Sequence, residues 1–170
     1  MDLYKKILRT SNYYYNEGLA RANVRNLSGA IESLNKSLRY NKMNIQARNL
    51  LGLVYFEVGE TVSALSEWVI SRSIQNEEND AERYLNAIQK NSAKLETINQ
   101  TIKKYNQALQ YCRQNSQDLA AIQLKKVLSL NPRLVKAHQL QALLYMQEGR
   151  IALTDKGMDL SNYAMSKFLF

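Results

Sequence analysis

Gly18, Ala30 and Ser37 each recur at one fixed interval further along the chain, as Gly52, Ala64 and Ser71. A period of roughly 34 residues has room for two helices and a turn. One such pair cannot bury its apolar face alone, so the period points to helical hairpins stacked on their neighbours. The clearest copy is 44–75. Its first half carries Leu50, Leu51, Leu53, Val54, Tyr55, Phe56 and Val58, Gly59-Glu60-Thr61 interrupts it, and Val62, Leu65, Trp68, Val69 and Ile70 follow at three- and four-residue spacing. That is the pattern of two amphipathic helices joined by a short turn. Gly52, Ala64 and Ser71 put small side chains where bulk would hold the helices apart; close packing brings helix axes to about 8–10 Å. After a longer interval the register returns at Ala108, Tyr111, Ala120, Leu124 and Val127, which match Gly52, Tyr55, Ala64, Trp68 and Ser71 in order. Asn131-Pro132 closes that copy at a helix boundary. One more period leads to Ala142, Tyr145 and Gly149.

These residues resemble the tetratricopeptide repeat, of the kind found in bacterial scaffold proteins. Leu51-Gly52, Tyr55, Ala64 and Trp68 match its pattern in one unit, Gly18, Ala30 and Leu34 in the unit before, and Tyr111, Ala120, Leu124, Val127 and Pro132 in a third. Arg21 stands where the pattern has Tyr, and Thr154 where a fourth unit would have Ala. The resemblance implies an all-α solenoid of antiparallel helix pairs that binds other proteins and catalyses nothing.

Composition agrees with the fold class. A single Pro, six Gly and many Leu, Ala, Gln, Asn and Lys favour helix over sheet. Cys112 is the only cysteine, which rules out an intrachain disulfide and a thiolate zinc site. The first residues lack the apolar core and small-residue cleavage site of a secretory signal, and no apolar run is long enough to span a membrane. The expectation is a cytoplasmic protein, or the soluble part of a larger one. The net charge of +8 is unevenly spread. Nine Lys and Arg face three acids in 1–50, two face seven in 51–89, and ten face three in 90–150. Solvated helix faces account for this pattern; attraction to an acidic partner or to a second copy is the alternative.

The spacing predicts helices from Asp2 to about Ala22, from Asn26 to Asn41, and from Asn44 onward as above. From Ala81 to Gln114 there is neither Gly nor Pro, which predicts one long helix over about 80–114, or two with a bend near Asn99. Ala81, Tyr84, Ile88, Asn91, Leu95, Ile98, Ile102, Tyr105, Leu109 and Cys112 form a heptad seam along it, with Asn91 as a polar interruption. Tyr84, Ile88, Leu95, Ile98 and Ile102 are the candidates for pairing two copies into a homodimer; an amphipathic helix packed on its own chain is the alternative. The organisation expected is 1–78 as two repeat units, 79–114 as the long helix leading into a third, and 115–170 as the rest of that unit, a partial fourth and a C-terminal cap.

In the resembled family the first helix of each pair lines a concave surface. That implies Asn12, Tyr15 and Leu19 from the first unit, and Gln46, Asn49, Leu53 and Phe56 from the second. It implies Ile102, Tyr105 and Leu109 from the third, and Gln139, Leu143 and Met146 from the fourth. Ala22, Cys112 and Lys136 complete the rows. Such a surface suits an apolar peptide or an amphipathic helix, with the Asn and Gln amides bonding its backbone. Tyr15, Leu19 and Leu50 stand where a chaperone-tail clamp has Lys and two Asn, so that ligand is not expected. His138 has no second metal ligand, and no phosphate-cradling loop or nucleophile elbow is present. No cofactor, metal or catalytic residue is assigned. The rival class is an RNA- or other nucleic-acid-associated basic repeat protein; Lys and Arg spread over many faces, and an acidic middle, weigh against it.

Overall fold

The computed structural model describes residues 2–147. Among them the regular structure is all helical. The helices are α1 (Leu3–Asn23), α2 (Leu27–Tyr40), α3 (Ile45–Glu57), α4 (Thr61–Ile74), α5 (Asp80–Gln89), α6 (Ser92–Arg113), α7 (Gln117–Leu130) and α8 (Val135–Gln147). The fold is tetratricopeptide-like, built of antiparallel hairpins. The partial second helix of the fourth unit, the turn at Gly149, Thr154 and the C-terminal cap lie outside the described residues.

Several helix starts are set by side-chain caps. Asp2, Asn26, Asn44 and Asn79 each accept a hydrogen bond from a backbone N–H of the first turn, at 3.2, 3.0, 3.0 and 3.0 Å. The hairpin turns are equally regular. Arg25, Gly59 and Asn115 occupy the same place in the α1–α2, α3–α4 and α6–α7 turns and take φ of 61°, 78° and 59°. In each, the next residue's N–H reaches back across the turn to a carbonyl: Asn26 to Arg21 at 2.9 Å, Glu60 to Tyr55 at 2.8 Å, Ser116 to Tyr111 at 2.9 Å. This left-handed closure favours glycine, and only Gly59 supplies it without strain. Arg25 gains an exposed ion pair with Glu57 at 2.8 Å, which is worth little in water. Arg25→Gly is therefore expected to stabilise the protein by about 0.5–1 kcal/mol, read as a higher urea midpoint at unchanged slope.

The chain divides into two compact units, Met1–Asn99 and Gln100–Phe170. In the first unit, α1 packs on α2, α2 on α3, α3 on α4 and α4 on α5. Its small residues do what their spacing requires. Gly18 lies against Leu34, where an added Cβ would stand 2.7 Å from Cγ. Gly52 lies under the Trp68 indole, where an added Cβ would stand 2.7 Å from Cδ1 and Cε2. Two apolar clusters result. One joins Ala30, Leu34 and Leu38 to Ala47, Leu51 and Val54; the other joins Ala64 and Trp68 to Ala81, Leu85 and Ile88. Arg21, which departs from the repeat pattern, bonds Glu17 at 2.7 Å and the Gly29 carbonyl at 3.1 Å, so its charge is held along the hairpin. In the second unit Ala108, Ala120, Leu124, Val127, Ala137, Leu140 and Leu144 form one cluster shared by α6, α7 and α8.

The stretch 80–114 corrects the expectation of one long helix, and of a bend near Asn99. It breaks at Lys90–Asn91. Lys90 ends α5, and Asn91 starts α6 by accepting a hydrogen bond from the Lys94 N–H at 2.9 Å. The polar interruption in the seam is thus a helix cap. Nor is α5 out of phase with the repeat. Ala81, Leu85 and Ile88 follow Ala47, Leu51 and Val54 by one period, and both trios are buried. Leu95 and Ile98, early in α6, cover the α5 cluster as the second helix of a third hairpin would. The unit boundary falls within α6, so residues before it belong to one core and Ala108 to the other.

Candidate protein-binding surface

α1 and α3 are the first helices of consecutive hairpins, and they touch each other. Leu19 and Leu53 take equivalent places on them and remain 37% and 38% exposed. Two turns earlier on each helix, Asn12 and Gln46 are also exposed, again one period apart. Residues equivalent by the repeat lie on equivalent faces, so the two leucines and two amides form a pair of rows on α1 and α3.

The other lining candidates of this unit are engaged with their own chain. Tyr15 is half-buried against the first apolar cluster. Asn49 donates from Nδ2 to Asn79 Oδ1 at 2.9 Å, and its backbone carbonyl accepts from Trp68 Nε1 at 3.2 Å. Phe56 stacks at a tilt on Trp68, with ring centroids 5.9 Å apart, and the Lys94 ammonium sits 4.7 Å from its ring centre. In the second unit Ile102, Tyr105, Leu109, Leu143 and Met146 are half-buried, while Lys136 and Gln139 are exposed. Tyr105, Leu109 and Cys112 pack against that unit's apolar cluster.

The seam residues have intrachain places too. Ile88 is buried in the core; Tyr84, Leu95 and Ile98 pack around it, and the Tyr84 ring lies 5.1 Å from that of Trp68. The break at Asn91 interrupts the seam as a continuous helix face.

A polar feature joins the hairpins that the sequence reading did not assemble. In the first, Asn44 Nδ2 donates to Ser11 Oγ at 3.2 Å and Ser37 Oγ at 3.4 Å, while the Ser37 hydroxyl donates to the Ser11 carbonyl at 2.8 Å. In the second, Asn79 Nδ2 donates to Ser71 Oγ at 3.1 Å and the Gln75 carbonyl at 2.8 Å. The recurrence of Ser37 as Ser71, each followed by an asparagine that caps the next helix, was the available signal. In the second unit Val127 takes the serine position, and the join there is apolar.

Chemically reactive groups are held quiet. His138 Nε2 donates to the Pro132 carbonyl at 2.8 Å. Burial pushes the Cys112 thiol above its ordinary pKa, favouring the neutral, less nucleophilic form. Among the described residues there is no group of His, Cys, Asp and Glu suited to a metal ion, and no helix is long and apolar enough to cross a membrane.

No family model matches the chain, and neither does any curated protein. Among solved structures it is similar to a crystal structure of MamA, with 21% identity over 96% of this chain and 84% of that one, at a TM-score of 0.41. It is also similar to a crystal structure of MamA protein, with 20% identity over 94% of this chain and 88% of that one, at a TM-score of 0.34.

Proposed function

We propose that the protein is a non-enzymatic interaction scaffold that takes a peptide or an amphipathic helix on the α1–α3 face of its first unit. The observation that supports this is the repeated pairing of an exposed leucine with an exposed amide, Leu19 with Asn12 and Leu53 with Gln46. Apolar side chains set at a fixed interval match side chains along one edge of a bound segment, and the amides match its backbone. Tyr15, Asn49 and Phe56 are engaged with their own chain and are left out of the proposed contacts.

Selection of a random-peptide library on the whole protein tests this reading. Peptides enriched on the wild type are expected to lose at least about tenfold in affinity on a Leu19→Asp plus Leu53→Asp variant, since each buried leucine contact is worth about 1.5–3 kcal/mol. The unfolding midpoint should fall modestly, because the buried part of each side chain loses its packing, and binding is compared where circular dichroism shows the variant folded. Absence of enrichment, or equal binding to the variant, would contradict the proposal.

A further inference from the structure

Tyr13, Tyr14 and Tyr15 are adjacent on α1 and so point in three directions. Tyr15 is accounted for by the core. Tyr14 meets α2, and Tyr13 meets Tyr14 on its own helix. The ring of Tyr14 is stacked on Tyr40, with centroids 5.7 Å apart and planes 10° from parallel, and Tyr13 meets Tyr14 edge-on at 5.4 Å. Tyr13 is 65% exposed and Tyr40 is 47% exposed. The Ser11–Ser37 hydrogen bonds fix the register between the two antiparallel helices. That register lays the beginning of α1 beside the end of α2.

Two basic segments far apart in sequence therefore meet at one end of one hairpin. Lys5, Lys6 and Arg9 come from α1; Lys36 and Arg39 come from α2, and Lys42 follows it. Lys36 lies 5.9 Å from the centre of the Tyr14 ring and pairs with Glu32 at 2.8 Å; Glu17 also acts on it, and Asp2 caps α1. Along the chain these cations look scattered, but the hairpin gathers them at the end that carries the exposed rings. Positive charge around solvent-facing rings is what a flexible polyanion with flat bases requires: phosphates meet the cations and bases stack on the rings. An anionic membrane is served less well. Its interfacial helix needs a broad apolar face on one helix, and here the rings are shared between two helices with Lys5, Lys6 and Arg9 interrupting α1.

We propose that this end of the first hairpin binds single-stranded nucleic acid, with Tyr13 and Tyr40 as the stacking surface and Lys6, Arg39 and Lys42 as phosphate contacts. The site adjoins the α1–α3 face at Asn12 but lies away from Leu19 and Leu53, and it does not depend on the function proposed for that face.

The test is fluorescence anisotropy of the full chain with a labelled uridine oligomer of about 20 nucleotides, at about 50 and about 200 mM salt. Binding is expected at the lower salt and should weaken roughly a hundredfold at the higher if about five cations meet phosphates. Tyr13→Ala plus Tyr40→Ala should weaken binding by about tenfold or more at both salts, and Tyr13→Phe plus Tyr40→Phe should restore it to within about twofold, because stacking needs the ring and not the hydroxyl. Lys6→Gln, Arg39→Gln and Lys42→Gln together should flatten the salt dependence by about two logarithmic units of slope. The Phe variant keeps the rings that pack on Tyr14, so it reports on stacking even if the alanine variant unfolds. No binding at the lower salt overturns the proposal. So does wild-type affinity in the alanine variant, which would mark simple charge attraction. Retention on vesicles rich in anionic phospholipid, with no oligomer binding, overturns it in favour of a membrane.

Discussion

Trp68→Ala is expected to destabilise the first unit by about 3–5 kcal/mol, a larger loss than any other substitution proposed for this protein. Trp68 is buried on α4 and touches two neighbouring helices, α3 and α5. Its ring lies over Gly52 of α3, beside Phe56, and 5.1 Å from Tyr84 of α5, while Nε1 donates to the Asn49 carbonyl. Truncation removes the apolar contact, opens a cavity between helices that cannot close over it, and leaves that carbonyl without its partner. A domain is stable by only about 5–15 kcal/mol, so much of the margin would go. Trp68→Phe should lose roughly half as much, because a ring remains while the indole N–H does not. Urea denaturation followed by circular dichroism measures both. A loss below about 1 kcal/mol for the alanine variant would mean that α3, α4 and α5 do not share this core.

Asn79→Ala is expected to cost about 2–3 kcal/mol. The side chain caps α5 through the Ala81 N–H, accepts from Asn49, and donates to Ser71 and to the Gln75 carbonyl. Alanine removes all four bonds at once and strands the buried Ser71 hydroxyl. Asp at this position keeps the cap and the bond from Asn49 but loses both donors, so Asn79→Asp should fall between wild type and alanine. Equilibrium unfolding of the three proteins orders them. If Asp and Ala were equally destabilised, the donors would dominate and the cap would contribute little.

The hairpins were legible because packing leaves a periodic mark. Ala30, Ala64 and Ala120 are buried at the closest helix contacts, and Gly18 and Gly52 lie opposite Leu34 and Trp68, where any larger side chain would collide. Such positions tolerate few residue types, so they recur in the sequence. The break between α5 and α6 left no comparable mark. It is made by Asn91 as a cap, without Gly or Pro, and the apolar spacing runs across it. The turns at Arg25 and Asn115 fell where the helix spacing put them; what the sequence did not show is that each residue takes a left-handed conformation without being Gly.

The surface was harder to read than the fold. Leu19 and Leu53 could be placed from the repeat alone, because equivalent residues share a face. Asn49 and Phe56 could not. Their positions also match the lining pattern, but Asn79 and Lys94, far along the chain from either, come to lie against them. The basic residues around Tyr13 and Tyr40 show the same limit from the other side: their concentration depends on the pairing of α1 with α2, which a count along the chain cannot reveal.

The central claim is that exposed positions repeated along α1 and α3 form the ligand surface. Amide and methyl chemical-shift mapping of the isotope-labelled protein with a library-selected peptide tests it most directly. The largest shifts are expected at Asn12, Leu19, Gln46 and Leu53, with small ones on the outward side of α4 around Val62 and Val69. Shifts concentrated on α4, with Leu19 and Leu53 unmoved, would contradict it.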